Sequence, residues 1–277
     1  MEHEQNDMTP QQASEALRWL AEMGADEIIG EEPVNRSVPA LPSASSPPKA
    51  PAPAIAMVAA PKTVSAARPA LQAQPTGAGA DVARLQSLSD IEAALAGFDA
   101  CPLKKTATRL CYADGNPQAR VMLIGEAPGR DEDIQGKPFV GKSGQLLDRM
   151  LAAIGLSRQS ADRESAVFIT NVIFWRPPGN RTPTEAETQM CLPFLLKTID
   201  VQKPDFIVCL GATPAHRLTG KTEGILKMRG KWTSANVSGR SIPLLPTLHP
   251  AYLLRQPNQK RLAWRDMLAL RQMLDAH

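Results

Sequence analysis

Four runs of the chain are apolar at nearly every position: RVMLIGE (120–126), AVFITNVIF (166–174), DFIVCLG (205–211) and IPLLPTLH (242–249). Their short length and richness in Val, Ile and Leu predict strands buried on both faces. Between them the apolar positions recur at helical spacing, in SGQLLDRMLAAIGL (143–156), TEAETQMCLPFLLKTI (184–199) and TPAHRLTG (213–220). KRLAWRDMLALRQMLDA (260–276) closes the chain in the same rhythm, and SDIEAALAGF (89–98) opens on a Ser89/Glu92 capping box that predicts a short helix. Strands alternating with helices define the α/β class, with a parallel sheet covered on both faces.

The first third of the chain has a different texture. TPQQASEALRWLAEMG (9–24) reads as one amphipathic helix: Thr9 caps it, Pro10 suits its first turn, and Ala13, Ala16, Leu17 and Leu20 share a face. That face needs a surface, on the main domain or on an unidentified protein partner. Residues 33–80 hold ten prolines, four basic residues and no acid, a composition that cannot offset its own ordering entropy. The expected organisation is a helical segment over 1–32, a disordered Pro/Ala-rich linker over 33–80 and a folded domain over 84–277.

Composition narrows the possibilities further. The net charge is only +3, so any nucleic-acid surface must be local rather than a property of the whole chain. No run is apolar for long enough to span a bilayer, and the acidic, polar start lacks the basic head and apolar run of a signal peptide. The four cysteines lie far apart, and disulfides are not expected in a chain that we place in the cytoplasm, away from membranes.

In an open α/β sheet, ligands bind beyond the carboxyl ends of the strands. Four segments converge there: GEAPGRDED (125–133), Asn171, GATPAH (211–216) and LHPAYLLR (248–255). Close by, GKPFVGKS (136–143) satisfies the phosphate-loop pattern G-x-x-x-x-G-K-[ST]. Its placement argues against a nucleotide hydrolase. The preceding strand ends ten residues earlier, Pro138 offers no amide hydrogen, Phe139 is bulky, and no later strand ends in a carboxylate for magnesium. A ring on a proline-braced loop suits a flat ligand instead. An everted base needs a stacking face, a two-way hydrogen-bonding group and a catalytic group near the sugar, and Phe139, Asn171, and Glu126 with His249 supply these types.

Three blocks carry a resemblance: GEAPGRDEDIQGKPFVGKSGQLLDRML (125–151), ITNVIFWRPPGNRTPT (169–184) and HPAYLLRQP (249–257). In order and spacing they resemble the signature blocks of the family-four uracil-DNA glycosylases. The resemblance implies a three-layer α/β/α fold around a central four-stranded parallel sheet, and hydrolysis of the bond between uracil and deoxyribose in DNA. It implies that Glu126 and Ala127 form the turn facing water and sugar, with Glu132 the second choice for orienting water. Asp131 and Asp133 have a solvated acidic turn as an equal account. Phe139 would stack on uracil, Asn171 would read its edge, and His249 would stand beside O2. Some relatives carry an aspartate where this chain has Ala127, and an aromatic where it has Gly129.

For DNA, Lys227, Arg229 and Arg255 are candidate phosphate contacts, and Leu253 and Leu254 candidate wedges, core packing accounting equally for one of them. Members of the family typically bind a [4Fe–4S] cluster through four cysteines. Here Cys101 and Cys191 match two of those positions, while Phe98 and Trp175 occupy the others. Neither ring supplies a thiolate, so no cluster is expected. The expected protein is a monomer acting on uracil-containing DNA. The alternative is a catalytically weak protein of the same fold that binds uracil or damaged DNA, and Glu126 and His249 distinguish the two.

Overall fold

The computed structural model describes residues 81–277; the helix expected within 1–32 and the linker expected over 33–80 lie outside the described residues. The elements run α1 (Leu88–Ala96), β1 (Ala113–Gly115), β2 (Val121–Gly125), α2 (Arg130–Gln135), α3 (Lys142–Ala152), β3 (Val167–Asn171), α4 (Glu185–Gln202) and β4 (Phe206–Leu210). They continue with α5 (Ala212–Thr219), α6 (Ile225–Met228), β5 (Thr233–Val237), β6 (Arg240–Thr247), α7 (Pro250–Arg255) and α8 (Lys260–Asp275).

The sheet is mixed and six-stranded, in the order β1-β3-β2-β4-β6-β5. The four apolar runs lie in its middle and pair in parallel, while β1 and β5 add antiparallel edges. The four-stranded expectation is therefore corrected to six. The edge strands read ADG and TSANV, too polar and short to announce themselves; β1 pairs with β3, and β5 pairs with β6 while burying Ala235 and Val237 in the core.

Alternation along the strands divides the core. Met122, Ile124, Phe168, Ile207 and Leu244 point to the side covered by Ile91 and Leu95 of α1 and Phe194 and Ile199 of α4. Val121, Leu123, Ile169, Val208 and Leu245 point to the other, beneath Leu147 and Leu151 of α3 and Leu270 of α8. Period-two strands between helices on each face give three layers, α/β/α. Register then sets the site: β2 and β3 pair with Gly125 opposite Asn171, so both strands end level at the carboxyl edge.

One local expectation shifts. The α1 cap is Ser87 with Asp90, not Ser89 with Glu92: Ser87 accepts from the Asp90 amide and the Asp90 carboxylate accepts from the Ser87 amide, each at 3.0 Å. Starting two residues earlier places Ile91 and Leu95 squarely in the core. Among the described residues no helix is long and apolar enough to cross a membrane.

Candidate active site

A cleft of about 550 Å³ opens at the carboxyl edge, and the turn after β2, the loop before α3, the end of β3, and the starts of α5 and α7 line it. Glu126, Ala127, Glu132, Phe139, Asn171 and His249 all border it, so the sequence-derived catalytic and base-binding candidates do meet in one place. Glu126 is held from the neighbouring strand end, where the Thr213 hydroxyl donates to its Oε2 at 2.5 Å. The sequence reading passed over Thr213; a hydroxyl three residues beyond the end of β4, in a segment already placed at the site, was the available signal.

The stretch that imitates a phosphate loop does bind an anion, but the anion belongs to this chain. Glu132 Oε1 accepts from the Val140 and Gly141 amides, both at 2.9 Å, and Oε2 accepts from the Gly129 amide at 3.1 Å. This carboxylate is buried and tied to backbone on both oxygens, which gives it a loop-organising place rather than the water-orienting one considered from sequence. A Cβ on Gly129 would stand 2.7 Å from Glu132 Oε2, so the tie leaves no space for an aromatic there. Asp133 is equally unlike a solvated turn residue: it is buried and accepts from Thr108 and from the Arg109 amide. Asp131 is exposed.

Phe139 sits on that loop with φ of 55°, a left-handed backbone unusual for an aromatic residue. Its ring lies against Gly125, where an added Cβ would be 2.6 Å from the ring edge and 2.3 Å from Asn171 Oδ1. Gly125 thus lets the ring and the amide approach β2 together. Asn171 is 1% exposed, and its Oδ1 has no hydrogen-bond partner among the described residues. A buried unpaired carbonyl costs roughly 1–3 kcal/mol, a cost that a donor on a bound ligand or an ordered water relieves.

His249 caps α7 by accepting the Ala251 amide on Nδ1 at 3.1 Å. With Nδ1 an acceptor, the ring proton must reside on Nε2. Burial, with a smaller contribution from the Arg255 charge, pushes the imidazole down to about 4, so it is neutral at physiological pH. Its ring centroid lies 5.4 Å from that of Phe139, tilted by 32°.

The DNA candidates separate clearly. Leu253 is fully buried with Leu146, Leu248 and Ala263, whereas Leu254 is 40% exposed; only Leu254 is free to act as a wedge. Arg229 turns inward: it pairs with Asp266, Nε to Oδ2 at 3.0 Å, and donates to the Leu262 carbonyl at 2.6 Å. Asp266 is 1% exposed, so Arg229 compensates a buried charge and is withdrawn as a phosphate contact. Lys227 and Arg255 remain exposed, Arg255 at the rim of the cleft.

Cys101 and Cys191 are both buried free thiols, near enough to shift one another's ionisation. The neighbouring Cys101 thiol, together with burial, pushes the Cys191 thiol up. The Phe98 ring stacks on Trp175 at 6.5 Å and meets Phe194 edge-on at 5.0 Å. Two thiols beside a wall of rings do not fit a four-thiolate cluster, and among the described residues no group of three or more His, Cys, Asp or Glu could hold a metal ion.

Residues 112–268, more than half of the chain, match the family described as the Uracil DNA glycosylase superfamily. The chain belongs to that superfamily. It is 38% identical over 177 residues to the Type-4 uracil-DNA glycosylase of Archaeoglobus fulgidus, spanning 62% of this chain and 86% of the relative. It is 39% identical over 181 residues to the Type-4 uracil-DNA glycosylase of Saccharolobus solfataricus, spanning 64% and 81%. With that of Thermotoga maritima the figures are 42% over 160 residues, 56% and 77%.

The two arginines predict opposite phenotypes. Arg229→Gln should lower stability in chemical denaturation by about 3 kcal/mol and leave the salt dependence of DNA binding unchanged. Arg255→Gln should leave stability within about 0.5 kcal/mol of the parent and reduce the slope of log K against log salt by about one.

Proposed function

We propose that this chain hydrolyses the N-glycosidic bond joining uracil to deoxyribose in DNA, the opening step of base-excision repair. The observation that carries the reading is the buried, unpartnered Asn171 amide oxygen beside the Phe139 ring, at the sheet edge where Glu126 and His249 also arrive. An everted uracil stacks on Phe139. The Asn171 carbonyl accepts from the ring N–H and its NH2 donates to O4, where cytosine presents an amino donor instead. As the bond breaks, negative charge grows on the base and positive charge on the sugar. The Nε2–H of neutral His249 donates to O2, and Glu126, oriented by Thr213, faces the sugar and the attacking water. Ala127 shapes the turn without contributing charge, Glu132 holds the loops, and Leu254 fills the stack that the base vacates.

The enzyme is read as a monomer acting on uracil-containing DNA. Four free thiols suit a reducing compartment, and we place the protein in the cytoplasm. It is read as working without an iron–sulfur cluster, the packing of Phe98, Trp175 and Phe194 linking the segment before β1 to α4.

Incubation with a uracil-containing oligonucleotide should release free uracil and leave an alkali-labile abasic site, and the same preparation should lack stoichiometric iron and sulfide. Tight retention of the oligonucleotide without base release would favour the weak binder, and stoichiometric iron would overturn the cluster-free reading.

The depressed imidazole sets the pH behaviour. Because His249 stays neutral until about pH 4, kcat/KM should hold its His249-dependent part through the ordinary histidine value of 6.5 and lose it only towards 4. Stability follows the same sign: the unfolded chain takes up this proton near 6.5 and the folded one only near 4, so His249 costs stability progressively between those values. His249→Ala should lower kcat by about 100-fold and remove the limb near 4. An unchanged limb in that variant would assign it to another group.

A further inference from the structure

Phe139 works as a stacking platform only if its ring stays in one plane, yet its own backbone favours leaving that conformation. A left-handed φ costs a side-chain-bearing residue roughly 1–2 kcal/mol, and Pro138 before it has no amide with which to brace the loop. Glu132 holds the far side of the loop through Val140 and Gly141. The near side is held from elsewhere.

Arg158 lies between α3 and β3, with its side chain only 9% exposed. Its Nη2 donates to the Phe139 carbonyl at 2.9 Å and its Nη1 to the Pro138 carbonyl at 3.0 Å. The guanidinium is fixed in turn by carboxylates on two elements: Nε donates to Asp148 of α3 at 2.8 Å, and Nη1 lies 3.2 Å from Asp114 of β1. Every nitrogen of the group is therefore engaged, and its charge is balanced within the fold. An arginine near a DNA-binding cleft usually reaches for phosphate, but this one is largely buried and already spends four of its five N–H groups within the fold. Its two carbonyl partners are those on either side of the Phe139 Cα, so the contact fixes the two peptide planes that aim the ring. The α3 start closes the arrangement: a Cβ on Gly144 would stand 1.8 Å from the Phe139 carbonyl, so that carbonyl is seated between the helix and the guanidinium.

We propose that Arg158 is a positioning residue for base binding, clamping the Pro138 and Phe139 carbonyls so that the Phe139 ring is pre-set for the everted base. The inference rests on the reading of Phe139 as the stacking ring. Lysine carries the charge but not the planar fork, so it replaces only part of the clamp.

A double-mutant cycle tests this, using kcat/KM on a uracil oligonucleotide and the inhibition constant of free uracil. The four enzymes are the parent, Phe139→Ala, Arg158→Ala and the double variant, each assayed well below its melting temperature. Phe139→Ala should weaken both quantities by about 10- to 100-fold, the span expected for removing one base–aromatic stack. Arg158→Ala should cost a similar factor in the parent but no more than about threefold in the Phe139→Ala background, since the clamp acts through that ring. Arg158→Lys should recover part of the loss in both readouts, and it carries the same cycle if the alanine variant does not fold. An Arg158 cost that is undiminished without the ring, or a loss of kcat with unchanged uracil inhibition, would overturn the proposal. A Phe139→Ala enzyme with unaltered uracil inhibition would instead overturn the stacking reading, and that is seen before Arg158 is changed.

Discussion

The Glu132 carboxylate and the three backbone amides that converge on it hold the cleft together. Two of the amides come from the loop before α3 and one from the turn after β2, so a single charged group sets the gap between them. Backbone amides curled round an anion are a strong arrangement because each bond is charge-assisted and shielded from water. This explains how GKPFVGKS matches a phosphate loop without serving as one: its terminal amides do what such amides do, on an internal carboxylate. What remains of the loop is Pro138 and Phe139, displayed over Gly125.

Around that frame the site presents three groups that the described residues leave wholly or partly unpaired. Asn171 presents a buried carbonyl with no partner, His249 a neutral ring with its proton on Nε2, and Glu126 a carboxylate steadied on one oxygen by Thr213. A neutral donor and an anion are the pair that bond cleavage into an anionic base and a cationic sugar calls for. Holding these groups ready costs stability, through the unpaired Asn171 carbonyl and the left-handed Phe139 backbone, and the surrounding packing offsets it.

The α/β class and the four central strands were legible because parallel strands buried on both faces must be apolar throughout, as in VMLIG and FIVCL. The edge strands were not, being short and mostly polar, with the buried Ala235 and Val237 of β5 too few to mark a strand. That the candidate residues near strand ends meet at one edge was legible for the same topological reason. What the chain could not disclose was the use of each charge. Arg229 and Arg255 look alike in sequence, yet one faces a buried aspartate and the other the rim. Leu253 and Leu254 are neighbours whose fates follow from which side of a six-residue helix faces the core. Glu132 read as a second choice for orienting water because partners three, eight and nine residues away along the chain are invisible until the loop closes on it. Cys101 and Cys191 show the converse: the absence of two thiolates was plain in the sequence, and the stacked rings beside them were not.

The most direct measurement is the affinity of Glu132→Gln for free uracil, taken by calorimetry beside its kcat. Glutamine keeps the shape but turns an NH2 toward one of the amides. If Glu132 is the tie that sets the stacking loop, uracil binding weakens by about tenfold and kcat/KM falls with it, as expected when one charge-assisted hydrogen bond is removed. Uracil bound as tightly as by the parent, with kcat reduced by about 1,000-fold, would contradict this account and put Glu132 on the attacking water.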